Sequence, residues 1–274
     1  MVTKTLHRAT LQHGTTVMQL ENPSFQVRLA TSADDLHMAK RLRYDVFIVE
    51  MGGDGASVDH STKTESDQFD EHASHLLLED ISRSEGDRVV GVYRLMNAKQ
   101  AADAGGFYCA SEFDLINLEQ SGRSLLELGR SCLHPDYRGG TAMLHLWAGL
   151  AEFVTEHGAE ILFGVASFHG TDVPTLAQPL SYLAAKHAAP AGLTANAHGE
   201  NAVAIDILPT DQIDRLAAMR GTPALIKAYL RLGGMVGQGA YVDHAFNTTD
   251  VCLILDTAQM TARAAALYGV GAQA

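Results

Sequence analysis

The residues of this chain best suited to chemistry gather in one stretch, Leu125 to Val154. Its opening run, Leu125–Leu133, is apolar apart from a few residues that include Glu127 and Arg130, and it reads as a central strand. A turn with Pro135, Gly139 and Gly140 follows. Met143, Leu144, Leu146, Trp147, Leu150, Ala151 and Val154 then recur as one helix face, with Gly158 placed to end it. A strand that leads through a glycine turn into a helix presents unpaired backbone N–H groups at the positive helix end. That is a cradle for phosphate, and Arg138, Gly139, Gly140, Thr141 and Ala142 would form it. An ordinary glycine-containing turn has the same composition. Residues three apart on a regular strand face opposite sides, so Glu127 and Arg130 can serve one ligand only if the strand bulges near Gly129.

Other elements must position this unit. Phe25–Ala30 alternates like a short strand, and Thr31 or Ser32 before Asp34 and Asp35 reads as a helix cap with an acidic first turn. Leu36, Ala39, Leu42, Val46 and Val49 predict a helix of roughly four turns to Glu50. Residues 52–66, rich in Gly, Asp, Ser and Thr, predict a surface loop. His75–Glu79 and Arg88–Leu95, joined through Ser82–Asp87, predict a hairpin, followed by a polar stretch at 97–106. Ile161–Ala166 supplies another buried strand. Further on, the pattern predicts a helix around Asp211–Met219, a second from Thr222-Pro223 to Gly233-Gly234, and a strand Val251–Leu255. This order implies an α/β (α+β) fold with a mixed, largely antiparallel central sheet flanked by helices and an elaborated C-terminal half. With no repeat or linker, the chain reads as an N-terminal arm, residues 1–24, and one domain, 25–274.

At 274 residues and 46% hydrophobic content, one large core is affordable. The formal net charge of -12 argues against general nucleic-acid binding, which concentrates Lys and Arg. Cys109, Cys132 and Cys252 are odd in number and widely spaced, and read as buried thiols. The 13 histidines show no tight ligand spacing, so no metal site is expected; His134 and His169 read as turn residues. No apolar run approaches the ~18 residues of a membrane-spanning helix. Met1–Gln19 has no apolar leader, so a cytoplasmic location is expected.

The Leu125–Val154 stretch resembles the acyl-donor site of the GNAT acyltransferase superfamily, whose loop usually reads Arg or Gln, two residues, Gly, one residue, then Gly or Ala. Gly140-Thr141-Ala142 matches the second half, while Arg138 stands two residues before Gly140 and Tyr137 holds the usual arginine position. Four further motifs resemble, in order, those of the acyl carrier protein-dependent branch represented by acyl-homoserine lactone synthases. They are Arg43 and Phe47; Glu65, Asp67 and Asp70; Arg94; and Glu127 with Arg130. Read singly, Arg43 and Phe47 are one helical turn apart and can simply pack, and Glu65–Asp70 can be a solvated acidic loop. The closer resemblance is to the ornithine N-acyltransferases of ornithine-lipid synthesis. It runs through Glu127–Cys132, His134–Arg138, Phe163-Gly164, Ser167-Phe168, Gly170-Thr171-Asp172, Leu225 and Lys227, Tyr229–Gly233 and Phe246–Asp250. A lactone synthase usually has Trp six residues after its equivalent of Phe47, where this chain has Gly53.

The resemblance implies attack of an amine on a thioester. A (3-hydroxy)fatty acyl group would pass from the 4′-phosphopantetheine of acyl carrier protein to the α-amine of ornithine, giving a lyso-lipid with no further cofactor bound. Such a reaction needs a deprotonated amine, an oxyanion site and alignment. Glu127 would be the base, with its pKa raised by burial. A bulge at residues 128–131, around Gly129 and beside Arg130, would free backbone N–H groups for the oxyanion. Arg94 or Arg130 would grip the acceptor carboxylate, and Asp67, Asp70 or Asp172 its second ammonium. Arg43, Phe47, Ser167 and Phe168 would complete the substrate site. Phe163 and Phe168 would line the acyl tail, although Phe163 suits plain core packing better. The partner, acyl carrier protein, is acidic and needs a basic patch, for which Lys40, Arg41 and Arg43, or Arg138, are candidates. A lipid product implies peripheral contact with the inner membrane face. Competing readings are a lactone synthase, a coenzyme A-dependent acetyltransferase of another small amine, and a GNAT-fold binding module.

Overall fold

The computed structural model describes residues 23–260, so the expected N-terminal arm, apart from Pro23 and Ser24, lies outside the described residues. Strand β1 (Phe25–Leu29) leads into α1 (Ala33–Arg43), where Ser32 and Asp35 cap each other's backbone N–H groups. The predicted four-turn α-helix does not run through. From Tyr44 to Glu50 the backbone winds as a π-helix, a wider turn frequent at functional sites, and Phe47 there meets Phe246 edge to face. The expected loop at 52–66 contains a short hairpin, β2 (Val58–Asp59) with β3 (Thr64–Glu65), and Glu65 at its end is fully buried.

Strands β4 (Ser74–Asp80) and β5 (Val89–Asn97) form the predicted hairpin. The polar stretch after it is a helix, α2 (Ala98–Ala104), with Asn97 and Gln100 as a reciprocal cap and Gly105 at φ 90° closing it. Seven residues are too few to display a period, which is why the sequence showed only a polar stretch there. Next come β6 (Phe113–Asp114), α3 (Ile116–Glu119) and β7 (Leu125–Leu133), the last with its predicted bounds. After α4 (Ala142–His157), which stops at Gly158, β8 (Ile161–His169) runs past its predicted end at Ala166. The remaining elements are α5 (Ala177–His187), which was not foreseen, β9 (Asn196–Ala197), β10 (Ala202–Val203), α6 (Arg215–Gly221), α7 (Ala224–Arg231), β11 (Met235–Val236), β12 (Ala240–Asp243) and β13 (Thr248–Asp256). The first turn expected from Asp211 is instead a 3-10 turn, and α6 starts at its Asp214 cap.

Among the described residues the main sheet has nine strands in the order β1-β4-β5-β7-β8-β13-β12-β10, with β11 also on β13. Its pairings are antiparallel except β7 with β8. One face packs Leu128, Leu253 and their neighbours against Leu146, Trp147, Leu150 and Val154 of α4. The opposite face lies under α1 beside β4 and β5, and under Phe107, Cys109 and Phe113 beside β8 and β13. All three cysteines are free and buried.

Two irregularities make room for a site. Strands β7 and β8 pair only through Leu125–Glu127 against Ile161–Phe163, then part. At the parting point Gly164 is necessary, because a Cβ there would fall 2.0 Å from the Leu128 carbonyl oxygen. Strand β7 also bulges. Val92 pairs with Cys132 and Arg94 with Gly129, so two steps on β5 match three on β7, and Arg130 takes φ 51°. The bulge expected at 128–131 is therefore present.

Candidate active site

A cavity of about 610 Å3 fills the gap between β7 and β8, a size suited to a small-molecule site. It passes through the sheet. On the α4 side its wall is apolar, with Leu128, Met143, Trp147, Leu225, Ala228 and Leu253; there the buried Tyr93 and Tyr229 hydroxyls meet at 2.6 Å. On the other face the lining turns polar, with Arg94, Tyr108, Glu127, Arg130, Asp243 and Asp250.

The four resemblance motifs converge on this polar face. Arg43 is fully buried; its Nε donates to Glu65 at 2.5 Å and its two Nη atoms to Asp70 at 2.6 and 2.8 Å. Arg94 Nη1 donates to Asp67 at 2.5 Å and to Asp70 at 3.0 Å. Arg130 donates from Nε to Glu65 at 3.2 Å and from Nη2 to Asp67 at 2.9 Å. Three guanidinium groups thus face three carboxylates with no charge left over. Burial would raise the Asp70 carboxyl, but the hydrogen bonds and charge of Arg43, with the charge of Arg94, hold it well below the ordinary carboxylate range. Asp67 is likewise held down by Arg94 and Arg130 against the effect of burial. Neither the solvated acidic loop nor simple packing of Arg43 on Phe47 describes these residues.

Glu127 is 4% exposed, and its carboxylate accepts the backbone N–H groups of Cys109 at 2.6 Å and Tyr108 at 3.0 Å. Burial pushes its pKa up, against the downward pull of those two donors. The Arg130 guanidinium lies 4.5 Å from the Tyr108 ring centroid and 5.3 Å from that of Phe246. Glu127 and Arg130 both touch Tyr108, so the bulge has brought them to one side of the sheet.

A second charged group lies beside them. Glu112, at the end of the turn that Glu127 anchors, has a carboxylate oxygen within 4.8 Å of those of Asp243 on β12 and Asp250 on β13. Burial, followed by the charges of Asp250 and Asp243, pushes Glu112 up to about 9, while Arg130 pulls the other way. Burial likewise pushes Asp250 up to about 6, against the Ser167 hydroxyl.

Several expected roles need correction. Asp67 and Asp70 are committed to arginines, so an incoming ammonium would have to displace a buried ion pair. Asp172 is exposed, heads a 3-10 turn, and does not line the cavity. Phe168 packs in the core on the α4 side and does not line the cavity either, whereas Phe163 and Ser167 do. Arg43 is buried and cannot belong to an exposed basic patch for a carrier, and Arg138, though exposed, has its charge paired with Glu50 and also donates to the Leu133 carbonyl. In the donor loop, Arg138, Gly139 at φ 77° and Met143 stand at the cavity rim. Gly140 is open around its Cα, the Thr141 side chain makes no capping bond, and Ala142 is buried at the start of α4.

A family model described as an acetyltransferase (GNAT) domain matches residues 42–148, which take in all four motifs and the donor loop. An L-ornithine N(alpha)-acyltransferase of Rhodobacter capsulatus is 51% identical over 247 residues, covering 89% of this chain and 95% of that protein. This chain belongs to the L-ornithine N(alpha)-acyltransferase family. A second member of the family, from Brucella abortus, is 38% identical over 253 residues, covering 91% of this chain and 90% of its own. The fold is shared more widely: a coenzyme A-dependent acyl-homoserine lactone synthase, BjaI, aligns with a TM-score of 0.50 at 16% identity, covering 91% of this chain and 92% of that one.

Tyr108, Asp243 and Asp250, which line the cavity, and Glu112 beside them are charged or polar residues that sequence reasoning left without a role. Asp250 stood inside the Phe246–Asp250 block, which flagged the segment but not the side chain. Glu112 and Asp243 carry no local signal, because separate elements bring them together.

Proposed function

We propose that the protein transfers a (3-hydroxy)fatty acyl group from the 4′-phosphopantetheine of acyl carrier protein to the α-amine of L-ornithine. The observation that carries this reading is the cavity that crosses the sheet at the β7–β8 gap, apolar on one face and polar on the other. Family membership supplies the acceptor, since the relatives are named for it. The acyl tail lies in the apolar half and the amino acid in the polar half, so the thioester carbonyl sits at the bulge between them. There the amine nitrogen attacks the carbonyl carbon. Backbone N–H groups of the bulged segment around Gly129 and Arg130 receive the developing oxyanion, the C–N bond forms, and the C–S bond breaks to leave the carrier thiol.

Glu127 is the base in this reading. Two backbone donors occupy its carboxylate but leave lone pairs for the amine or a bridging water, and burial raises its pKa and so its readiness to take a proton. Arg130, held between two rings at the cavity wall, grips the acceptor carboxylate; Arg94, more deeply enclosed, steadies Asp67 and Asp70. Among the described residues no helix is long and apolar enough to cross a membrane, and the lyso-lipid product leaves through peripheral contact with the bilayer. The test is a mass-spectrometric assay of purified protein with 3-hydroxyacyl carrier protein and ornithine. N-acylornithine and free carrier thiol are expected. Equal turnover with the acyl-coenzyme A would remove the carrier from the reading, and a lactone formed from S-adenosylmethionine would replace the acceptor.

A further inference from the structure

Glu112, Asp243 and Asp250 form a carboxylate group that the acyl-transfer chemistry does not use and that, among the described residues, no cation pairs with directly. Arg130 is the neighbouring guanidinium, and its ion pairs go to Glu65 and Asp67. Glu112 and Asp250 are 4% and 3% exposed, yet Glu112 Oε2 and Asp250 Oδ1 make no hydrogen bond among the described residues. An independent polar group points the same way. The Thr248 hydroxyl, on a residue 3% exposed, has no partner beyond Asp250 itself, lies opposite Asp243 in the β12–β13 ladder, and shares with Asp250 the cavity-facing side of β13. Buried acceptors left open in this number are costly unless something brings donors to them. What would satisfy them is a compact cation with several N–H donors.

We infer that Glu112, Asp243 and Asp250, with the Thr248 hydroxyl, bind the side-chain ammonium of the acceptor and so select a diamino acid over a neutral one. This rests on the acceptor reading above and deepens it. The site is contiguous with the point of attack: Glu112 ends the turn whose Tyr108 and Cys109 N–H groups hold Glu127, and the Tyr108 ring carries Arg130. A primary ammonium on a short aliphatic stem would thread from Arg130 into the trio.

The experiment compares ornithine with norvaline, the same skeleton lacking the side-chain amine, by turnover and by titration calorimetry. In the wild-type protein the kcat/KM ratio is expected at about 10²-fold or more in favour of ornithine, falling towards unity in Asp250→Asn and Asp243→Asn, mainly through KM. Thermal melting of each variant identifies any that fails to fold, and two wild-type readouts then decide. Ornithine must bind more tightly than norvaline. It must also release protons on binding, seen as a buffer-dependent heat, because a cation placed against Glu112 and Asp250, beside Arg130 and Tyr108, favours their ionised forms. Equal binding of the two amino acids, or an unchanged ratio in the folded variants, overturns the inference. So does ornithine binding that EDTA abolishes and a divalent ion restores, since the trio would then be a metal site. Failure of the acceptor reading looks different: no acyl-ornithine forms, while the calorimetric preference for the diamino acid still judges the trio.

Discussion

Two buried charge clusters lie side by side in this protein and share Arg130 as a neighbour, yet they are built on opposite plans. In the first, Arg43, Arg94 and Arg130 meet Glu65, Asp67 and Asp70 with donors matched to acceptors. In the second, Asp243 accepts the backbone N–H groups of Ala245 and Phe246, but among the described residues no arginine or lysine pairs with the trio, and Glu112 Oε2 and Asp250 Oδ1 have no hydrogen-bond donor. A balanced cluster is already complete and serves to hold α1, the 64–70 segment, β5 and β7 in register. An unbalanced one raises the free energy of the empty protein, and only a ligand of the opposite charge relieves it. The difference teaches that carboxylates near a cavity are not interchangeable candidates for a cationic substrate, and that existing partners decide among them.

The largest effect belongs to the balanced cluster. Arg43→Ala leaves Glu65 and Asp70 buried without their main partner and should destabilise the protein by about 3–5 kcal/mol, read from the midpoint of denaturant unfolding. A loss well under 1 kcal/mol would mean that these carboxylates do not depend on it, and the contrast would collapse. Glu127→Gln separates chemistry from either cluster. With Glu127 as base, kcat should fall by about 10²- to 10⁴-fold. Stability should change less, by ~1–3 kcal/mol, as an amide NH2 replaces one acceptor facing Tyr108 and Cys109. Retained kcat in the folded variant would reduce Glu127 to an anchor for that turn.

The smallest effect is the sharpest on sign. Asp70 has a folded pKa below its unfolded value, so its contribution is present at neutral pH and lost as pH falls below about 4. Glu112 and Asp250 have raised folded pKa values, so their contribution is full below about pH 4 and drains away as pH rises towards about 9. Asp250→Asn should therefore raise the Tm of the ligand-free protein at pH 8 by ~2–4 °C, equivalent to about 1 kcal/mol, and flatten its decline with pH. A lower Tm at pH 8 would show that the trio is internally satisfied.

Much of this was legible in the chain itself. β7 could be bounded because an apolar run stops at His134-Pro135, and α4 because one broad apolar face ends at Gly158. The bulge followed from requiring Glu127 and Arg130 to act together on a strand whose side chains alternate. The misses have physical causes too. α2 is too short to show a period, and the π-helix after Arg43 keeps the apolar spacing of an α-helix well enough to pass for one. Glu65, Asp67 and Asp70 read as a solvated loop or as ligand contacts because three arginines, distant in sequence, had yet to be placed against them.

The sequence by itself determined the types and order of the principal strands and helices, the family, and the motifs that meet at the cavity, because periodicity and spacing are local properties. Tertiary structure alone decided which charges are spent and which are open. A carboxylate's role depends on the donors within about 3 Å of it, and here those donors come from elements up to 65 positions away, as Arg130 is from Glu65, while the carboxylates of Glu112 and Asp250 meet from 138 positions apart.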